Sequence, residues 1–294
     1  MKTIKIATRR SELAVAQASF VGSLVGIPFE LVYITTRGDR DQVSSLTEIG
    51  GQGVFTKEVQ QAVIDGRADI AVHSAKDLPS QSHDDLVIAA VPKREDPRDV
   101  LVGSSLLKLA SGATVFTSSN RRKSQLLSLR PDLEVLPVRG NIATRMRLAK
   151  DGNAVFVAKA ALDRLNIRTY EGETMSLDGF TPQVGQGALA VESRRSDEKV
   201  LSVMGMITDS ATLKALSCER AFLNRLGVGC TRPVGAFCKV KDKTVQIQGF
   251  VGLEDGTRLW RASSYGDDPL ESGRELAEKL IQMSGLDFPT GGPS

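Results

Sequence analysis

Residues 69–79 read Asp-Ile-Ala-Val-His-Ser-Ala-Lys-Asp-Leu-Pro, and this stretch indicates the fold class. Its first four residues form a short, mostly apolar run that is typical of a buried strand. Four polar residues then follow within five positions: His73, Ser74, Lys76 and Asp77. Ligands of open α/β sheets bind beyond the carboxyl ends of strands, where such a cluster would lie. The alternative is an ordinary polar turn in which Lys76 and Asp77 are solvated.

Strands and helices alternate on both sides of this stretch. Residues 2–7 and 29–35 read as strands, and Ser11 has the position of a cap for the helix between them. A strand over 86–91 follows, and the charged, proline-broken stretch 92–99 indicates a crossing between domains. The alternation resumes from residue 114. The pattern predicts α/β domains.

Arginine and hydroxyl side chains recur at the ends of the predicted strands. Helix N-termini attract anions, and guanidinium groups pair bidentately with carboxylate or phosphate. Any one of these arginines alone would be an ordinary surface residue, but the set predicts an anion site. In the second half of the predicted α/β region the set comprises Ser118, Ser119, Arg121, Arg122, Arg139, Arg145 and Arg164.

Two further segments have the composition of functional loops. Residues 41–55 are polar and glycine-rich without periodicity, which favours a mobile lid, with simple surface disorder as the alternative. Cys230 lies in a glycine-flanked loop near Arg232, a setting that favours a reactive thiolate. An inert thiol is the alternative. Cys218 and Cys238 fall on the apolar faces of a predicted helix and strand, so they read as core residues.

Length and composition narrow the class of protein. A chain of 294 residues is long enough for two or three domains, and its 41% hydrophobic and 25% charged residues are typical of soluble globular proteins. A net charge of +3 with 5% aromatics does not indicate a nucleic-acid binder. Neither a secretory signal nor a membrane span is evident. The three cysteines form no CxxC pair and make no familiar zinc set with the two histidines, which fits a reducing cytoplasm.

Together these motifs closely resemble the porphobilinogen deaminase family, also called hydroxymethylbilane synthases. The resemblance runs in order over nearly the whole chain, so it is far more specific than any single motif. The matching segments are Ala-Thr-Arg-Arg-Ser (7–11), Thr-Arg-Gly-Asp (36–39), the opening stretch (69–79), Arg-Glu-Asp-Pro-Arg-Asp (94–99), Thr-Ser-Ser before two arginines (117–122), Arg-Gly-Asn before Thr-Arg (139–145), Val-Gly-Gln-Gly-Ala (184–188), Glu-Arg-Ala (219–221) and Gly-Cys (229–230).

The resemblance implies an α/β fold of three domains. Two lobes like those of periplasmic binding proteins would form a cleft, and a smaller C-terminal α+β domain would follow. Domain 1, residues 1–93 with 188–206, would hold the catalytic aspartate and the lid loop. Domain 2, residues 98–181, would hold the arginine-rich anion site, and domain 3, residues 209–294, the cysteine that attaches the cofactor.

The resemblance also implies an activity and its residues. The enzyme would be a transferase of heme and tetrapyrrole biosynthesis that condenses four porphobilinogen molecules head to tail, with release of ammonia, into hydroxymethylbilane. It would use a dipyrromethane primer, joined to Cys230 as a thioether, and no metal. Asp77 would be catalytic. The residues implied in cofactor binding are Ser74, Lys76, Thr117, Ser118, Arg121, Arg122 and Arg139, and those implied in substrate binding are Arg9, Ser11, Arg145 and Arg164.

Some positions depart from the family pattern. Gln52 and Glu48 stand in the lid where lysine is found in family members, and Phe116 and Asn120 replace a usual glycine and leucine. We expect a cytoplasmic monomer that binds porphobilinogen, with no nucleic-acid or membrane partner. A non-catalytic, two-lobed binder of small carboxylates or phosphates is the alternative. A phosphate-dependent transferase would need a Gly-rich phosphate loop of the usual spacing, which the sequence lacks.

Overall fold

The protein is described here by a computed structural model, which covers residues 3–40, 53, 55–79, 81, 83–228 and 232–289. In chain order the elements are β1 (Ile4–Arg9), α1 (Glu12–Val25), β2 (Phe29–Ile34), α2 (Arg37–Arg40), α3 (Lys57–Ile64), β3 (Ile70–Ser74), β4 (Leu86–Ala90), β5 (Asp99–Val102), β6 (Thr114–Phe116), α4 (Asn120–Leu129), β7 (Glu134–Leu136), α5 (Ile142–Met146), β8 (Ala154–Ala158), α6 (Lys159–Arg164), β9 (Gly172–Thr174), β10 (Leu189–Arg194), α7 (Glu198–Gly205), α8 (Ser210–Leu226), β11 (Val234–Lys241), β12 (Thr244–Gly252), β13 (Leu259–Gly266) and α9 (Pro269–Ser284).

The chain divides into two compact units. Unit 1 comprises Met1–Glu95 with Gly187–Lys214, and unit 2 comprises Asp96–Gln186 with Ala215–Ser294. The three-domain boundaries expected from the sequence stay a prediction. Within the described residues, no helix is both long and apolar enough to cross a membrane.

Unit 1 is built on one five-stranded sheet in the order β2-β1-β3-β10-β4. Strand β1 runs parallel to β2 and β3, whereas β10 is antiparallel to β3 and β4. Apolar residues of α1 and α7 pack with alternate residues of β1 and β3, and those of α3 pack with the residues between them. Both faces of the sheet are therefore covered, which explains why β3 begins with three consecutive apolar residues, 70–72.

The strand expected at residues 69–72 is confirmed as β3, and a 3-10 turn follows it at Ala75–Asp77. Ser11 is also confirmed as a helix cap, because its hydroxyl accepts a hydrogen bond from the Ala14 amide. Helix α1 ends at Gly26, whose positive φ of 73° is the left-handed conformation common after a helix.

Unit 2 contains two sheets. The five-stranded sheet has the order β7-β6-β8-β5-β9, with β6 parallel to β7 and β8, and β5 antiparallel to β8 and β9. The second sheet is the antiparallel set β11-β12-β13. Residues of α8 and α9 form a core with it that contains Cys218 and Cys238, as expected from the sequence. The predicted α/β class with a smaller C-terminal α+β part is confirmed.

Close contact between α8 and α9 gives a test of this packing. A Cβ atom at Gly273 of α9 would lie 2.2 Å from the backbone carbonyl oxygen of Cys218 in α8. We expect Gly273→Ala to lower the free energy of unfolding in urea by about 1–3 kcal/mol, because the helices would have to move apart. Gly205→Ala in α7 is the control, since its Cβ would meet no atom of the described residues within 4 Å. It should leave stability unchanged or raise it by about 0.5–1 kcal/mol. Equal stability of Gly273→Ala and the parent would contradict the close helix contact.

Candidate active site

A cleft in unit 1 lies at the carboxyl ends of β1 and β3. Four of the residues expected in the site line it together: Arg9, Ser11, Ser74 and Asp77. The parallel pairing of β1 with β3 explains the proximity, because parallel strands end at the same edge of a sheet. The sheet topology therefore brings these four residues, which come from two distant parts of the sequence, to one surface.

Asp77 is presented to this cleft by the end of β3. The Ala75 amide donates to the Ala188 carbonyl (3.0 Å), which joins the start of the 3-10 turn to the segment leading into β10. The Ser74 hydroxyl accepts a hydrogen bond from the Gln17 amide group at 2.8 Å. Lys76 is half-buried, whereas Asp77 is exposed at the end of the turn. Hydrogen bonds thus hold the start of the turn, and the Asp77 carboxylate at its end is exposed to solvent.

Arg9 is held by an acidic neighbour. Its guanidinium group donates to both carboxylate oxygens of Asp39, with Nε–oxygen distances of 3.1 and 3.2 Å, and lies 4.1 Å from the centre of the Phe55 ring. Thr36 donates to the same carboxylate through its amide and its hydroxyl. Burial raises the pKa of Asp39, but the hydrogen bonds from Arg9 and Thr36 outweigh this and lower the pKa below its usual range.

Unit 2 contains a second charged cluster, in which two arginines surround one aspartate. Asp99, at the start of β5, is fully buried. Arg122 donates to its Oδ1 atom through Nε (2.9 Å) and Nη2 (2.7 Å), and Arg121 Nη1 lies 2.8 Å from Oδ2. Gln186 also donates to Oδ1, at 3.0 Å. Both arginines further donate to backbone carbonyls, Arg121 to Thr181 and Arg122 to Phe156.

This cluster carries an excess positive charge. Burial raises the pKa of Asp99, but the charges of Arg121 and Arg122 outweigh it and leave the pKa far below its usual value. Burial also lowers the pKa of Arg121, which Asp99 only partly offsets. One carboxylate between two guanidinium groups therefore leaves one positive charge in a water-poor setting, where its attraction for an anion would be stronger than in water.

The remaining unit 2 residues expected in the site lie on separate elements. Thr117 is buried after β6 and accepts from the Ser119 amide, and the Ser118 hydroxyl donates to the Val138 carbonyl and accepts from its amide, each at 2.8 Å. The set is completed by three half-buried arginines: Arg139 after β7, Arg145 on α5 and Arg164 on α6. Their contacts with a cofactor or substrate stay a prediction.

Several expectations fall outside the described residues. Cys230 is one of these, and the lid positions Glu48 and Gln52 are others. Of the remaining departures from the family pattern, Phe116 ends β6, and the Asn120 amide donates to Glu254 at 3.0 Å.

Three buried polar residues were not assigned a role from the sequence. Asp99 and Gln186 hold the arginine pair, and the fully buried Glu219 accepts from the amides of Gly185 (2.7 Å) and Cys238 (2.9 Å). All three lie within segments quoted for the family resemblance. Membership in these segments is the only sequence signal for them, because neighbouring charged or glycine residues give no local indication of burial.

The fold and these clusters define an α/β protein whose arginine side chains are suited to pair with organic anions and whose unit 1 cleft includes the exposed carboxylate of Asp77. Among the residues that the structure describes, no group of three histidine, cysteine, aspartate or glutamate side chains is placed to hold a metal ion. An exposed aspartate in a cleft with an arginine and two hydroxyls can stabilise positive charge that develops on a bound molecule.

Comparison with known proteins identifies the family. Residues 4–202 match the family model described as "Porphobilinogen deaminase, dipyromethane cofactor binding domain", and residues 213–282 match the C-terminal domain of porphobilinogen deaminase. The porphobilinogen deaminase of Brevibacillus brevis is 42% identical over an alignment 294 positions long, which spans 96% of this chain and 95% of that protein. Those of Roseiflexus sp. and Bacillus subtilis are 42% and 38% identical, covering 97% and 98% of this chain and 97% and 96% of theirs. The chain belongs to the porphobilinogen deaminase family.

Family membership confirms the predicted class of enzyme, a tetrapyrrole-forming transferase with a dipyrromethane cofactor. It does not favour the alternative of a non-catalytic binder, which would use the arginines but would have no need of Asp77. The individual site residues stay predictions.

The arginine pair gives a test of the unit 2 cluster. Asp99→Asn removes the negative charge that Arg121 and Arg122 share, so we expect the free energy of unfolding in urea to fall by about 3–5 kcal/mol at pH 7. Asp178→Asn is the control, because Asp178 is exposed in the same unit, and it should change stability by less than about 0.5 kcal/mol.

The parent and Asp99→Asn should also differ in how their free energies of unfolding depend on pH. Because folding lowers the pKa of Asp99, its stabilisation is complete above the unfolded-state pKa of about 3.9 and is lost as the pH falls below that value. The stability difference between the parent and Asp99→Asn should therefore shrink below about pH 4. A difference that is the same at pH 7 and pH 3 would contradict the assignment.

Proposed function

We propose that this chain joins four porphobilinogen molecules head to tail into the linear tetrapyrrole hydroxymethylbilane. Each addition forms a bond between the aminomethyl carbon of one molecule and the free α-carbon of the next pyrrole, with loss of ammonia and of the α-proton. Water releases the finished product. The observation that carries this proposal is the exposed Asp77 carboxylate, held at a cleft that Arg9, Ser11 and Ser74 also line.

Asp77 would act on the charge that develops during each addition. Departure of ammonia leaves positive charge on the pyrrole of the incoming molecule. A fixed carboxylate accepts the pyrrole N–H and offsets that charge in the transition state more than in the ground state. The hydrogen bonds at Ser74 and Ala75 hold the end of β3, so the backbone that presents Asp77 is already in place when substrate binds.

The charges of unit 2 fit the dipyrromethane cofactor, which carries carboxylate side chains. The excess charge of the Arg121–Arg122–Asp99 cluster matches an anionic group, and the buried Nε atom of Arg121 has no hydrogen-bond acceptor among the residues that the structure describes. Arg121 and Arg122 would hold cofactor carboxylates with Lys76, Ser74, Thr117, Ser118 and Arg139, and Arg9, Ser11, Arg145 and Arg164 would bind those of substrate. When bound, the cofactor supplies the pyrrole end from which the chain grows.

Cys230 would carry the cofactor as a thioether. The two other cysteines support this assignment, because Cys218 and Cys238 are 0% and 3% exposed in the core formed by α8, α9 and the second sheet of unit 2. A two-ring adduct on either sulfur would displace the packed side chains around it.

We further propose that the protein works as a monomer in the cytoplasm. It would bind porphobilinogen as a small-molecule substrate and would need neither a nucleic-acid nor a membrane partner. The net charge of only +3 supports the absence of nucleic-acid and membrane partners, because both would be attracted by a larger positive charge.

Asp77→Asn tests the catalytic assignment. The amide keeps the size of the side chain but removes its charge, so we expect turnover to fall by roughly 10²-fold or more with an unchanged thermal unfolding midpoint. Turnover is measured as tetrapyrrole formed from porphobilinogen. Asp84→Asn, at another exposed position of unit 1, is the control and should retain parental turnover. Activity of Asp77→Asn within a few-fold of the parent would remove Asp77 from the mechanism.

The mass of the protein tests the attachment site. Protein made in cells that synthesise porphobilinogen should exceed its sequence mass by one dipyrromethane, and peptide mapping should place the adduct on Cys230. Cys230→Ser should lack both the adduct and activity, whereas Cys238→Ala should keep the adduct. An unmodified parent protein, or an adduct on Cys218 or Cys238, would refute the assignment and restore the binding-protein alternative.

A further inference from the structure

A buried pair of a histidine and a glutamate lies beside the Asp77 cleft. His73 of β3 and Glu192 of β10 have side chains that are 4% and 1% exposed, and Nε2 of the histidine is 3.1 Å from Oε2 of the glutamate. Gln60 of α3 donates to the same oxygen at 2.8 Å. His73 also lines the cleft, two residues before the turn that ends at Asp77.

The strand register explains why the two side chains meet. His73 pairs with Ala190 and Glu192 pairs with Ala71 across the antiparallel strands β3 and β10. The two residues are therefore diagonal neighbours on the sheet face that α3 covers. The pairing of β10 with β4 is irregular between Val191 and Glu192. Such bulges redirect a side chain and recur beside functional sites.

Stability alone does not explain this pair. The same sheet face is otherwise packed with apolar residues, among them Ala71, Val59 and Val63. Burying a carboxylate and an imidazole there costs desolvation energy that an apolar pair of similar volume would avoid. The polar contact with Glu192 instead fixes the orientation of the His73 ring, which lines the cleft.

We propose that Glu192 and Gln60 are positioning residues that fix His73 and, through it, the end of β3 that presents Ser74 and Asp77. This proposal rests on the proposed function, because it concerns the placement of the proposed catalytic carboxylate. Glu192 orients the imidazole, Gln60 orients Glu192 from α3, and the histidine keeps the backbone before Ser74 in register with β10. Displacement of this strand end would move Asp77 away from the developing charge.

Glu192→Gln tests the proposal. The amide has the same shape and is less costly to bury, so the thermal unfolding midpoint should be unchanged or higher. Its uncharged oxygen, shared between Gln60 and His73, holds the imidazole less firmly than the carboxylate does. The kcat for tetrapyrrole formation should therefore fall about 10-fold or more with KM within about 2-fold, since a misplacement of ~1 Å costs up to ~10²-fold in rate. Glu30→Gln, at an exposed position of β2, is the matched control and should keep parental kcat, KM and midpoint.

Gln60→Met provides a second, independent variant, because it keeps the volume but removes the donor to Glu192. It should lower kcat in the same way by a smaller factor, and it decides the question if Glu192→Gln does not fold. Parental kcat in a folded variant would overturn the proposal, as would a loss of kcat that is matched by a loss of thermal stability. A parent protein that forms no tetrapyrrole would instead refute the proposed function.

Discussion

The carboxylate of Asp99 organises the charged interior of unit 2. It lies at the start of β5 and receives donors from two arginines of α4 and from Gln186. The arginines extend the network to the backbone after β9 and to β8, through the carbonyls of Thr181 and Phe156. Buried guanidinium groups need a negative partner. The Asp99 side chain therefore links α4, which carries the arginines, to β5 and, through Arg122, to β8.

The two five-stranded sheets share one plan. In each, the second strand runs parallel to the first and third, and the fourth strand is antiparallel to the third: β10 in unit 1 and β5 in unit 2. Each of these antiparallel strands carries a fully buried carboxylate, Glu192 or Asp99, that binds a cationic or imidazole side chain. The corresponding strand thus contributes a buried carboxylate to the interior of both units.

The elements of this fold were largely predictable from the sequence, because apolar periodicity and caps are local signals. The strand at β3, the cap at Ser11 and the core positions of Cys218 and Cys238 are examples. The partners of the arginines were not predictable. Asp39 is 30 residues from Arg9, and Asp99 is 23 residues from Arg122. A sequence pattern places an arginine at a strand end but does not reveal which acid folds against it, and this decides how much of its charge remains for a ligand.

The placement of β10 has a consequence for synthesis on the ribosome. This strand lies between β3 and β4 in the sheet, yet about 100 residues of chain separate it from β4. At roughly 5–20 residues per second, the nascent first sheet waits ~5–20 s with the edges of β3 and β4 unpaired. Meanwhile β5 to β9 emerge as a continuous block. The five-stranded sheet of unit 2 therefore has all its strands before the sheet of unit 1 does, and the unfinished edge in unit 1 is where a chaperone or an aggregating neighbour would bind.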